Sequence, residues 1–213
     1  MHKNCLADTL RLHEMFLGPI EQHKPWNTKG IEGVYRFLKK LWRLLHDNEG
    51  NFVISEEKPS KDELKTLHKT IKKVSDDNER FSFNTSVSTF MIAVNELSDL
   101  KCNKREIIES LLVLMHPHTP YITEEIWSKM GHEKSIVFAE WPVFDESHLI
   151  ESSYAYPVSF NGKMRFKMEL PLDMSKEDIE KTVLESDNAA KYLEGKSPKK
   201  VIVVPGKIVN IVL

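Results

Sequence analysis

The sequence predicts a mainly α protein with a small α+β tail: an antiparallel helical bundle followed by a β-β-α-β-β unit. Three observations carry this. Up to about residue 150, apolar residues recur three and four positions apart in stretches divided by prolines. From Tyr154 the period drops to two. Two turn signals, Asn161-Gly162 and Pro205-Gly206, then each join a pair of extended runs.

The opening MHKNCLADTLRLHEMF reads as helix, with Leu6, Leu10, Leu12 and Phe16 apolar from the first turn. No capping residue precedes a clean start, so the expectation is a chain that begins inside a larger architecture. Pro19 and Pro25 break the helix, and the next one is predicted over Ile31–His46. Its apolar side is Val34, Phe37, Leu38, Leu41, Leu44 and Leu45; its other face carries Arg36, Lys39, Lys40 and Arg43. A polar connection ends at Pro59. Ser60 with Glu63 forms a capping box for a helix whose stripe is Leu64, Leu67, Ile71 and Val74. Helices follow over Asn84–Leu100 and Lys104–Met115, the latter apolar on most of its circumference and hence central. His116-Pro117 stops it, and Ile122–Met130 makes a short helix closed by Gly131. Short connections between the five helices that follow the opening one imply antiparallel neighbours.

In the tail, positions 154, 156, 158 and 160 share one strand face. After Asn161-Gly162 the return run alternates, placing Met164, Phe166, Met168 and Leu170 toward a core and Lys163, Arg165 and Lys167 away from it. Ser175 with Asp178 starts a helix to about Ser186, and a second short one ends at Gly195. Strands over Lys199–Val204 and Lys207–Leu213 complete a unit of about 60 residues, near the size at which a domain becomes marginal alone.

Composition narrows the function. At 213 residues there is room for one or two domains, and 40% hydrophobic with 29% charged residues excludes collagen-like and disordered classes. No apolar run approaches the ~18 residues of a membrane span, and no signal peptide opens the chain. Cys5 and Cys102 form neither a CxxC pair nor a zinc site, so a reducing, cytoplasmic compartment is expected. The net charge of −2 advertises no global affinity for nucleic acid, but both ends of the chain have a small basic excess around an acidic middle.

No GxSxG, P-loop or dinucleotide glycine pattern is present. His116 and His118, with Glu124 and Glu125, suggest metal ligands. Proline between the histidines and the lack of a third spaced ligand favour a helix-ending turn with surface carboxylates. Neither cysteine has the setting of a nucleophile. The basic faces are better candidates. Arg36, Lys40 and Arg43 are spaced four and three apart and line one helical stripe; Lys163, Arg165 and Lys167 form a comb at strand spacing. Such combs suit a phosphate backbone, which Lys and Arg position without reading sequence. A solvated charged face is the plain alternative.

Five blocks of the chain, in order, resemble bacterial leucyl-tRNA synthetases. They are ADTLRLHEMFLGPIEQHKPWNTKGIEGVYRFLKKLWRL (7–44), LLVLMHPHTPYITEEIWSKMG (111–131), WPVFDESHL (141–149), VSFNGKMRFKMELP (158–171) and KKVIVVPGKIVNIVL (199–213). The resemblance implies a class I aminoacyl-tRNA synthetase, which uses ATP and Mg2+ to join leucine to tRNA(Leu). It implies that the catalytic core and editing insertion precede residue 1, so that no catalytic residue and no cofactor falls in this chain, which would make no leucyl-adenylate alone. Residues 1–29 would be the end of a stem, 30–150 an anticodon-binding-type bundle, and 151–213 a domain binding the tRNA elbow, with a linker at 150–153. Lys163 and Arg165 match the family's Asn-Gly-Lys-x-Arg hairpin and Lys207 its Pro-Gly-Lys turn. Phe166 stands where the family has glycine, a change expected to alter packing more than RNA contact. MHKNC does not continue the family pattern and reads as an appended or divergent start. The RNA-binding expectation thus rests on Arg36, Lys40, Arg43, Lys163, Arg165, Lys167 and Lys207.

A reading of a different class is a helical scaffold whose 64–74 stripe and β tail bind other proteins. Salt-sensitive retention of tRNA separates the two. A cysteine- or metal-dependent hydrolase has no supporting constellation.

Overall fold

A computed structural model describes residues 5–149, 153–172, 174–193 and 198–213. The expected linker residues 150–152, the first four residues and Gly195 lie outside the described residues. The chain forms two compact units, Met1–Leu149 and Ile150–Leu213.

In the first unit the helices are α1 Cys5–Phe16, α2 Ile31–Leu44, α3 Lys61–Glu79, α4 Phe83–Asp99, α5 Arg105–Met115 and α6 Pro120–Lys129. Single 3-10 turns follow at Ile136–Phe138 and Glu146–Leu149. The α3 start is built as the sequence indicates: Ser60 Oγ accepts from Glu63 N–H, and the Glu63 carboxylate accepts from Ser60 N–H at 2.6 Å. Helices α3 and α4 both end by Schellman geometry, the N–H of Ser82 donating to Asp77 O and that of Cys102 to Leu97 O, each at 2.8 Å. Both use a non-glycine residue with positive φ, Phe81 at 56° and Lys101 at 54°.

Apolar spacing decides the packing. Val34, Phe37, Leu38 and Leu41 of α2, and Val87, Phe90, Val94 and Leu97 of α4, all enter one core. Helix α5 is buried nearly all round, from Ile107 to Met115, and is the central helix its composition predicts. Leu67, Ile71 and Val74 are buried in the same core with Leu64 packed against it. The 64–74 stripe is therefore covered within its own unit, which corrects the part of the scaffold reading that rested on it.

The second unit is a four-stranded sheet, β1 Ser153–Phe160, β2 Lys163–Pro171, β3 Lys200–Val204 and β4 Ile208–Val212, with helices α7 Lys176–Leu184 and α8 Asp187–Leu193. Strand order is β2-β1-β4-β3, with β1 parallel to β4 and the outer pairs antiparallel. Tyr156, Val158 and Phe160 meet Val209 and Ile211 of β4 and Ile179, Val183 and Ala189 of the helices in a small core. Asn161 and Gly162, at φ 48° and 80°, make the type I′ turn that a two-residue hairpin requires.

One expectation fails on β2. Met164 is 60% exposed and faces no core. The cause is a register conflict. Across a two-residue turn Phe160 pairs with Lys163, so the even-numbered apolar positions of β1 fall opposite the odd-numbered basic positions of β2. A one-residue bulge resolves it. Ser159 pairs with Met164 but Val158 with Phe166, leaving Arg165 as the extra residue. Beyond the bulge Phe166, Met168 and Leu170 fall in phase with Val158, Tyr156 and Tyr154. Before it, Met164 is turned to the outer face.

Candidate nucleic-acid interface

The bundle's predicted stripe lies on α2. Arg36 and Arg43 are exposed, seven residues or about 10 Å apart along the axis. Lys40, between them, donates its ammonium to Asn95 Oδ1 of α4 at 2.6 Å. Three cations thus reduce to two solvent-facing guanidiniums and one lysine engaged in joining helices.

The tail's cations divide in the same way. The bulge breaks the comb: Lys167 pairs with Pro157 on the outer face, whereas Lys163 pairs with the buried Phe160. Arg165 is carried toward α8, its guanidinium carbon 5.5 Å from the centre of the Tyr192 ring. Tyr192 also meets Phe160 at 5.3 Å and stacks with Phe166 at 6.3 Å. Lys163 and Arg165 thus both stand at the hairpin end of β2, and Lys167 lies on the outer face. Lys207 stands in the β3–β4 turn, where its carbonyl accepts from Tyr154 Oη at 3.4 Å and Gly206 N–H donates to Tyr156 Oη at 2.9 Å. By the parallel register it is level with Tyr156, four residues or about 13 Å along the sheet from Phe160. The expectation of one strand-spaced stripe is corrected: the bulge sets Lys163 and Arg165 at the hairpin end apart from Lys167 on the outer face.

Tyr192 was not among the expected residues. The signal that points to it is arithmetic. A two-residue turn between two runs whose large apolar residues are all even-numbered demands a bulge, and a bulge re-aims its side chains.

The histidine–carboxylate cluster does not converge. His116 Nδ1 lies 2.9 Å from Thr123 Oγ1. Glu124 accepts from Ile136 N–H and Ser135 Oγ, both at 3.2 Å, and Glu125 pairs with Lys129 at 3.5 Å. His118 is buried edge-on to Phe83 and Phe90, and burial, with Arg11 nearby, lowers its pKa to about 4. Among the described residues no group of three or more His, Cys, Asp or Glu is placed to hold a metal ion. Burial pushes the Cys102 thiol up to about 12, which removes it as a nucleophile at neutral pH. No helix among the described residues is long and apolar enough to cross a membrane.

Residues 61–181, more than half of the chain, match the family described as the anticodon-binding domain of tRNA ligase. The chain belongs to that family. The match of this anticodon-binding-domain protein runs from the first residue of α3 through β1 and β2 into α7. The chain is 65% identical over 206 residues to the leucine–tRNA ligase of Christiangramia forsetii and 58% identical over 207 residues to that of Cytophaga hutchinsonii. Each likeness covers 97% of this chain, which spans only about a fifth of the length of those curated relatives, 21% and 22%. Among solved structures it is similar to the ternary complex of Agrobacterium radiobacter K84 agnB2 LeuRS with tRNA and LeuAMS. There the identity is 25% and the TM-score 0.58, over 97% of this chain and 29% of that one. A helical bundle with a small C-terminal sheet is thus an arrangement this chain shares with a stretch of that LeuRS structure.

Proposed function

We propose that the chain is a tRNA-holding portion of a leucine–tRNA ligase and grips tRNA(Leu) while the rest of such an enzyme forms the ester. The observation that carries this is the likeness to leucine–tRNA ligases along 97% of the chain, through both compact units. The Agrobacterium structure is a complex with tRNA, which supports RNA as the partner. In this reading residues 1–29 connect to a catalytic core, 30–150 lie on the tRNA limb through Arg36 and Arg43, and 151–213 reach the elbow through Lys163, Arg165 and Lys207. ATP and Mg2+ are used by the whole ligase, and no residue of this chain is assigned to them. The cytoplasm, where tRNA is charged, is the compartment that fits.

The physical basis is electrostatic. Each Lys or Arg that neutralises a phosphate releases counterions, so binding weakens with salt. Two modest grips on one chain add to each other when both reach the same rigid RNA. The test is retention of a tRNA(Leu) transcript by the chain across a salt series, alone and with Lys163→Ala plus Arg165→Ala. The expected result is a steep salt slope that flattens by roughly 0.7–0.9 for each phosphate left without its cation. Absence of retention, or retention indifferent to salt, would refute the reading. Leucine-dependent pyrophosphate exchange by the chain alone would place the chemistry within it instead.

A further inference from the structure

Arg165 occupies an unusual position in the tail. It is the extra residue of the β2 bulge, it is exposed, and it forms no ion pair among the described residues. What holds its side chain is the ring of Tyr192, with the guanidinium carbon 5.5 Å from the ring centre. That ring also meets Phe160 and Phe166, at 5.3 and 6.3 Å, yet Tyr192 keeps 38% of its surface exposed. Lys163, two residues before Arg165, pairs across the hairpin with Phe160, one of those rings.

A guanidinium lying against an aromatic face keeps its N–H groups directed outward, because the ring attracts the cation and accepts none of its in-plane hydrogen bonds strongly. A long side chain on a bulge would otherwise sample many rotamers, and ordering it on binding costs free energy. Held in advance, it offers the planar fork that matches two phosphate oxygens. We infer that Tyr192 is a positioning residue, holding Arg165 beside Lys163 as a preset receptor for one RNA phosphate. This rests on the reading that the chain binds tRNA. Tyr192 acts through Arg165 and does not itself touch the phosphate.

The test uses the 213-residue chain, a tRNA(Leu) transcript and a salt series, with Tyr192→Leu, Tyr192→Phe, Arg165→Ala and the Arg165→Ala, Tyr192→Leu double variant. Tyr192→Leu is expected to weaken binding about two- to fivefold, the range of an exposed cation–π contact, and to flatten the salt slope. Tyr192→Phe keeps a π face and is expected to restore both. With Arg165 already removed, Tyr192→Leu is expected to add nothing. The inference is overturned by equal losses with and without Arg165, by a phenylalanine variant as weak as leucine, or by an Arg165→Ala slope equal to wild type. If the wild-type chain retains no tRNA, the underlying reading fails and this one with it. Thermal melting of the tail checks folding; where leucine does not fold there, Tyr192→Met, flexible and lacking a ring, replaces it in the same cycle.

Discussion

Asp8 on α1 caps a helix that lies 113 and 114 positions further along: its carboxylate accepts from Tyr121 N–H at 3.3 Å and from Ile122 N–H at 2.7 Å. Thr119, the residue in the N-cap position of α6, makes no side-chain cap bond of its own. Asp8 thus satisfies two of the amide groups a helix start leaves unpaired, and so ties α1 to α6, the last α-helix of the first unit. Removing it as Asp8→Ala is expected to destabilise the bundle by about 1–2 kcal/mol in urea unfolding, the upper part of the range for a cap. Burial raises the Asp8 carboxyl above its ordinary 3.8 although both amides favour the charge. A carboxyl held higher in the folded state disfavours folding once ionised, so this contribution worsens as pH rises through the window above 3.8 and is relieved below it. Asp8→Asn keeps an acceptor without the charge. It is expected to cost less than alanine and to remove that pH dependence.

His118 works in the opposite sense. Its folded-state pKa is lowered to about 4 from 6.5 by burial, with Arg11 adding to the effect. The unfolded chain takes up a proton near pH 6.5 that the folded bundle refuses until about pH 4. Stability is therefore present above 6.5 and is lost as pH falls through the interval, by about 3 kcal/mol when the whole interval is crossed. His118→Phe, which retains an edge facing Phe83 and Phe90, is expected to make the midpoint in urea less sensitive to acid between pH 6.5 and 4. An unchanged acid sensitivity would show the proton uptake to lie elsewhere, such as His68 or His116, whose pKa values burial also lowers.

The contrast between these residues and the helices shows what a sequence displays. Spacing of three and four marks the bundle helices because burying a stripe is a local pattern, and the Ser60–Glu63 box is complete within four residues. The cap from Asp8 to Ile122 joins elements far apart in the chain, and no local pattern contains it. Lys40 has the spacing of a surface cation, but Asn95 of another helix claims it. The bulge at Arg165 is readable in principle, since the turn length and the two even-numbered apolar sets conflict. Neither strand reveals it by itself. The alternation of β2 indicates which residues prefer burial. It does not indicate the register, and the register decides where Lys163 and Arg165 point.

The α2 stripe can be separated residue by residue. Arg36 and Arg43 are exposed, and Arg43 makes no side-chain hydrogen bond or ion pair among the described residues. Arg36→Ala and Arg43→Ala are each expected to lower the salt slope of tRNA(Leu) binding by roughly 0.7–0.9 with little change in stability. Lys40→Ala is expected to leave the slope nearly unchanged and to lower the bundle's stability by about 0.5–1.5 kcal/mol through loss of the bond to Asn95. A salt slope that falls as far for Lys40 as for the arginines would show that the ammonium leaves Asn95 for RNA.

Lys101 ends α4 in a left-handed conformation at φ 54°, exposed, with the N–H of the next residue, Cys102, closing the motif on Leu97. For a residue with a Cβ that conformation costs about 1–2 kcal/mol. Glycine relieves the cost but enlarges the freedom of the unfolded chain, which returns about 0.4–1 kcal/mol. The difference favours Lys101→Gly by about 0.5–1 kcal/mol, read as a higher urea midpoint with an unaltered m-value. Lys101→Ala removes the same side chain and keeps the Cβ, so it is expected to give no gain. Equal stabilisation by alanine would trace the effect to the lysine charge and not to the backbone.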